Sequence, residues 1–201
     1  MDRIALPANA LVVLIGPSGS GKSTFAARHF QPTEVLSSDE FRAIVADDPT
    51  DQRASRAAFE LLHLAARRRL ERGRLTVIDA TNVTRTSRLE LVALATETRR
   101  PAVAIVLDAP LEVCLGRNAR REGRTVAADV VIRQADELSR WLGGPSGLAD
   151  EGFAAVHRLV DPARVDDVTI VRVPGHGRRA TGAGTIPATG SDRLVDRRTA
   201  R

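Results

Sequence analysis

Leu11-Val-Val-Leu-Ile-Gly16-Pro-Ser-Gly-Ser-Gly21-Lys-Ser-Thr24 decides the reading of this chain. Leu11 to Ile15 is an apolar run of strand type, and a helical pattern starts at Lys22. Between them stands Gly16-x-x-x-x-Gly21-Lys22-Ser23, a phosphate-binding loop (P-loop) with a strand before it and a helix after. Its glycines let the backbone curl, so that successive N–H groups point inward at phosphate oxygens. The following helix adds the positive end of its dipole. Gly16, Pro17, Ser18, Gly19, Ser20, Gly21, Lys22, Ser23 and Thr24 are the expected nucleotide cradle. Lys22 is expected to reach the β- and γ-phosphates, and the Ser23 hydroxyl to ligate Mg²⁺. A glycine-rich turn without a ligand would not need both flanks to agree with the motif.

Composition sharpens this reading. Of 30 Lys plus Arg residues, Lys22 is the single lysine. A site that needs a compact ammonium and not a planar fork would keep a lysine where the rest of the chain uses arginine. The 201 residues fit one domain with a normal core, built mainly from Leu, Val, Ile and Ala because aromatics make up 3%. No apolar run approaches a membrane span, and the N-terminus does not read as a signal peptide. One cysteine, Cys114, excludes an internal disulfide and points to a reducing, cytoplasmic compartment. Its apolar helical neighbourhood reads as buried filler. The net charge of +5 resides mainly beyond Pro174, where Arg178, Arg179, Arg193, Arg197, Arg198 and Arg201 face only Asp192 and Asp196. Charge alone therefore does not argue for polynucleotide binding.

In chain order, residues 1–10 read as a lead-in and Leu11–Ile15 as the first strand. The helix of the phosphate loop runs from Lys22 to His29. Glu34–Ser37 is a short strand, followed by a helix from about Glu40 to Val45. After the break at Asp47-Asp48-Pro49-Thr50-Asp51, a long helix spans about Gln52 to Arg72. Its apolar face is Ala58, Phe59, Leu62, Ala65, Ala66 and Leu70, and Gly73 is its C-terminal cap. Leu75–Ile78 is a strand, and Arg85–Arg99 a helix with Leu89, Val92 and Ala93 inward. Ala102–Leu107 is a buried parallel strand. Helices follow over Leu111–Ala119 and about Ala127–Trp141, then a loop over 143–147 and a last strand, Val168–Val173. Alternating strands and helices define an α/β fold, a five-stranded parallel sheet with helices on both faces. Residues 1–173 form the domain, and 174–201 read as a disordered basic tail.

In such sheets ligands bind at the carboxyl ends of the strands, so the polar residues there carry the chemistry. Asp39 follows the second strand, and Arg42, three residues on, can share its side of a helix. A carboxylate near a γ-phosphate can accept a hydroxyl proton while an arginine neutralises charge on the transferring group. Equally, Ser37-x-x-Glu40 fits a capping box, with Ser38 or Asp39 as the cap. Asp79 ends Leu75-Thr-Val-Ile and reads as a carboxylate that organises Mg²⁺; Asp108 competes but is better placed to cap the helix after Pro110. Arg117, Arg120, Arg121 and Arg124 before a glycine break read as a lid over a triphosphate, or as a solvated basic face. The histidines show no metal-like pairing.

With these residues in place, the chain resembles the kinase module of the bacterial polynucleotide kinase-phosphatase enzymes of RNA repair. The likeness spans about Leu11 to Val173. It rests on Gly16 to Phe25, Ser37-Ser-Asp-Glu-Phe-Arg42, Val77-Ile-Asp-Ala-Thr-Asn-Val83, Val113-Cys-Leu-Gly-Arg-Asn118 with Arg121, Val131-Ile-Arg133 and Glu151-Gly-Phe153. The resemblance implies ATP and Mg²⁺, and transfer of the γ-phosphate to a 5′-hydroxyl end of RNA or DNA. It implies Lys22 and Ser23 on phosphates and metal, Asp39 as general base and Arg42 on the transferring phosphate. Arg117 and Arg121 become nucleotide-clasping lid arginines. In that family phosphatase and ligase modules follow the kinase; here a basic tail follows it. A kinase of a small hydroxylated metabolite or drug, and a nucleotide-binding protein without kinase activity, are the competing readings.

Overall fold

A computed structural model describes residues 3–121, 123, 125–143, 148–162 and 165–175. The expected loop over 143–147 lies largely outside them, as do Arg124 and residues 176–201 of the expected tail. The central sheet is parallel and five-stranded. It contains β2 (Leu11–Ile15), β3 (Val35–Ser37), β4 (Thr76–Asp79), β5 (Ala102–Leu107) and β6 (Ala155–Leu159), in the order β3-β4-β2-β5-β6. The chain moves outward from β2 to β3, returns through β4, then crosses to β5 and β6. The sheet therefore reverses direction of growth at β2, and the strand that carries the phosphate loop ends at a crevice.

Alternation along β2 explains the two-sided core. Leu11, Val13 and Ile15 join one cluster with Leu62, Ala66 and Leu70 of α3 (Ser55–Glu71) and with Leu91 and Ala95 of α4 (Arg85–Glu97). Leu138 of α6 (Ala128–Leu142) completes that side. Val12 and Leu14 face the other way, onto Phe25 and Ala26 of α1 (Lys22–His29). These strand residues are fully buried, each fully buried aliphatic side chain being worth roughly 1.5–3 kcal/mol.

The five strands were expected, but one of them differs. The stretch expected as a lead-in is β1 (Arg3–Pro7), with Ile4 and Leu6 inward and Arg3 and Ala5 outward. It pairs in parallel with β7 (Thr169–Val173) in a separate two-stranded sheet that covers the α1 face. The strand at the end of the chain is therefore not in the central sheet; β6 takes that edge instead. β6 carries no continuous apolar run, because Ala155-Val-His-Arg-Leu interleaves polar residues, as a half-covered edge strand does. The inward face of α4 also differs from expectation. Arg88 is fully buried while Ala93 is exposed, because Arg88 meets the buried carboxylate of Glu151 at 2.6 and 2.7 Å.

Smaller differences concern helix starts. α2 (Ser38–Ala46) begins two residues before its expected start, and the long helix opens with a 3-10 turn, Gln52–Ala54. α5 (Leu111–Ala119) and α1 have their expected bounds. Gly73 follows α3 with φ +67 and donates its N–H to the Leu70 carbonyl, as a C-terminal glycine does.

Candidate active site

The phosphate loop curls tightly because side chains are excluded from it. Gly19 has φ +83, and a Cβ there would collide with the Cys114 carbonyl oxygen of α5. Gly21 caps α1 at φ +103 and faces the Arg117 guanidinium. Any L side chain at Gly19 or Gly21 is strained in that conformation. Cys114 itself is buried filler, its thiol on the Ala109 carbonyl at 3.6 Å and pushed up in pKa by burial.

Lys22 folds back over this loop. Its Nζ donates to the carbonyls of Gly16 at 2.8 Å and Pro17 at 3.0 Å, and to Ser20 Oγ at 3.4 Å. Burial lowers its pKa to about 8; the Asp79 carboxylate opposes that shift and the Arg121 guanidinium adds to it. The loop thus holds a partly desolvated ammonium against carbonyls that a phosphate can outcompete.

A cavity of about 580 Å³ opens in front of the lysine, and elements distant in sequence meet there. From the end of β4 comes Asp79, which lies opposite Ser37 of β3 in the sheet register. Burial raises the Asp79 pKa, while a hydrogen bond from the Ser23 hydroxyl and the Lys22 charge restrain it. Ser23 and Asp79 are two hard oxygen donors in mutual contact, a fit for Mg²⁺ held by few protein ligands and several waters. Among the described residues no three His, Cys, Asp or Glu side chains cluster as a metal site.

From α2 come Asp39 and Arg42, which form an ion pair. Arg42 is buried and its Nε also donates to the Pro49 carbonyl at 2.9 Å. Asp39 faces the cavity, and its charge is felt by both Lys22 and Asp79. The capping alternative does not form: Ser37 occupies the N-cap position without a side-chain cap bond.

Arg121 closes the cavity from the segment after α5. Asn118 ties that segment down. Its Nδ2 donates to the Val126 carbonyl at 2.6 Å, and its Oδ1 accepts the Val126 N–H at 3.2 Å. Arg117 lies behind the loop, its Nη1 3.5 Å from the Ser20 carbonyl oxygen, outside the cavity lining. Asp108 does not cap α5. It pairs with Arg158 of β6 at 2.5–2.8 Å, away from the cavity.

Of the residues expected at the site, Ser18, Gly19, Gly21, Lys22, Ser23, Asp39, Arg42, Asp79 and Arg121 line one cavity. Thr24 is exposed on α1 and does not line it. Missed were Thr50, Gln52, Ser55 and Phe59 on the wall beyond Asp39, and Val130 and Gln134 on α6. The helical spacing of Phe59 predicts a core position; it is half-buried against the core and also lines the cavity. The spacing of Val130 and Gln134, four apart, signals a shared helix face but not what that face meets.

A loop of this geometry at a sheet switch point, with a strand-end carboxylate and the Arg121 side chain on the cavity wall, defines the P-loop nucleotide-binding class with a kinase-type fold. Within it, the chain belongs to the AAA domain family (AAA_33), whose model matches residues 11–145. A curated relative is the transcription factor bHLH140 of Arabidopsis thaliana, 28% identical over 165 residues. The match covers 78% of this chain but only 16% of that protein. Among solved structures, a chain of the Pnkp1/Rnl/Hen1 RNA repair complex aligns with TM-score 0.57 and 24% identity, over 68% of this chain and 45% of that one. A Janibacter sugar kinase aligns with TM-score 0.51 and 23% identity, over 80% of this chain and 91% of that one. The family match and the first structure agree with the fold that the resemblance implies.

Proposed function

We propose that this protein transfers the γ-phosphate of ATP to a 5′-hydroxyl end of RNA or DNA. The observation that carries the reading is the placement of Asp39 and Arg42 in the same cavity as Lys22 and Asp79. A base, a cation for the transferring group and a phosphate cradle then surround one point. The acceptor O–H gives its proton to the Asp39 carboxylate as its oxygen forms a bond to the γ-phosphorus. The bond from that phosphorus to the β–γ bridging oxygen breaks, and ADP departs. Lys22, Arg42 and Arg121 neutralise charge on the phosphoryl oxygens, and the loop N–H groups hold the β-phosphate. Ser23 and Asp79 would hold Mg²⁺, which would supply further charge neutralisation.

A kinase of a small hydroxylated compound is the second reading. Arg42 is already paired with Asp39, so the wall toward the acceptor carries no surplus of positive charge from this pair. Thr50, Ser55 and Phe59 line the same cavity, and two hydroxyls with one aromatic ring suit a compact polar molecule as well as a terminal nucleotide.

The test is label transfer from γ-labelled ATP to 5′-OH oligonucleotides, RNA and DNA in parallel, with Lys22→Ala as the blank. Labelled strands with the wild type alone support the end-kinase reading. ATP binding without label on either strand sinks it and favours the small acceptor.

A further inference from the structure

Gln134 has no role in the chemistry above, yet it touches the phosphate loop. It lies on α6, one helical turn beyond Val130, and both line the cavity. Its Oε1 accepts the backbone N–H of Ser18 at 2.8 Å. A carboxamide has one accepting and one donating end. With the acceptor committed to a backbone N–H, the hydrogen-bond network sets the orientation of the amide. The NH₂ is the remaining polar end, and among the described residues no group accepts from it.

The surroundings say what that NH₂ can meet. Lys22 Nζ rests on the carbonyls of Gly16 and Pro17, the two residues before Ser18. The Gln134 amide and the Lys22 ammonium therefore hold adjacent points of one loop at the edge of one cavity. Asp39 lines the same cavity. α6 is a firm platform for this contact. Leu138 is buried in the core, and Trp141 lies against Arg88 and Arg85, whose guanidinium carbons are 5.5 and 5.9 Å from its ring centre.

We propose that Gln134 is a ligand of the transferring phosphoryl group. Ser18 orients its carboxamide, and its NH₂ donates to a γ-phosphate oxygen. A neutral donor fixed on a rigid helix adds stabilisation where charge spreads over the phosphoryl oxygens, beside the charges of Lys22 and Arg121. The inference rests on the phosphotransferase reading and is independent of the acceptor's identity.

The test uses the full chain without acceptor. Dissociation constants for Mg²⁺–ADP and for the Mg²⁺ complex of the β,γ-imido analogue of ATP are measured for wild type, Gln134→Met and Gln134→Glu. Met keeps the length and removes both hydrogen-bonding ends. Glu keeps an acceptor for Ser18 and removes the donors. Expected is a loss of roughly tenfold or more for the imido analogue in both variants, with ADP binding unchanged. Equal loss for both nucleotides, loss in Met alone, or no loss overturns the proposal, leaving Gln134 as at most a clamp on the loop. Should Gln134→Met not fold, Gln134→Leu takes its place, because Gln134→Glu also adds a negative charge that repels the γ-phosphate. Wild type that binds neither nucleotide would instead refute the phosphotransferase reading.

Discussion

Lys22 shows how a single side chain couples fold and ligand. Its pKa is lowered to about 8 from an ordinary 10.5, chiefly by burial. A charged Lys22 therefore costs stability in the ligand-free fold below about pH 8, and the cost fades as pH rises from there toward 10.5. A bound phosphate is expected to reverse the shift, because its negative charge favours the ammonium. Nucleotide binding just above pH 8 should take up protons, and binding well below it should not; calorimetry in buffers of different ionisation enthalpy measures this. Lys22→Met should raise the melting temperature of the ligand-free protein, by roughly 1 kcal/mol in stability, while abolishing nucleotide-induced stabilisation. Asp39→Asn tests the base. It should lower phosphoryl transfer by roughly 10²–10⁴-fold and leave nucleotide affinity intact, since an amide can still accept from Arg42. Unchanged turnover would remove Asp39 from the chemistry.

Helix α4 illustrates what element-scale patterns conceal. Its helical period was readable, but its inward face includes an arginine that hydrophobicity alone assigns to solvent. Arg88 binds Glu151 through two bonds and also donates to the carbonyls of Asn82 at 3.1 Å and Val83 at 2.6 Å. Asn82 in turn donates to the Leu14 carbonyl at 2.8 Å, and Gly16 N–H binds the Thr81 carbonyl at 3.0 Å. The pair thus braces the segment after β4 against the phosphate loop. Arg88→Met should cost about 3–5 kcal/mol, because Glu151 would be left buried and unpaired. Joining it with Glu151→Leu should restore much of that loss, and urea denaturation of both variants measures the difference. A single-variant loss below about 1 kcal/mol would mean that the pair is solvated in solution.

At the scale of the molecule, the β1–β7 sheet joins the start of the described chain to its end. Arg172 of β7 reaches Glu34 at 2.6 and 2.7 Å, and Glu34 is buried. Burial alone would raise the Glu34 pKa, but the Arg172 hydrogen bonds hold it below the ordinary carboxylate value. The contact therefore contributes stability above the ordinary glutamate range and loses it as pH falls through the lowered value. Arg172→Ala should reduce stability by about 1–2 kcal/mol near neutral pH, less in acid, and leave phosphoryl transfer unchanged. A fall in transfer rate at full folding would show that this tie reaches the cavity.

The sequence by itself determined the phosphate loop, its flanking strand and helix, and the central buried strands. Those features are local: glycine spacing, continuous apolar runs and helical period act within one stretch of chain. It also marked Asp39, Arg42, Asp79 and Arg121 one by one. Only the tertiary structure decided that they meet, because sheet order, not spacing, brings the ends of β2, β3 and β4 together. It alone placed β6 in the central sheet and β7 beside β1, since half-covered strands lack a continuous apolar run. Likewise it turned Gln134 toward Ser18 and buried Arg88, because those positions depend on which element packs against a helix face.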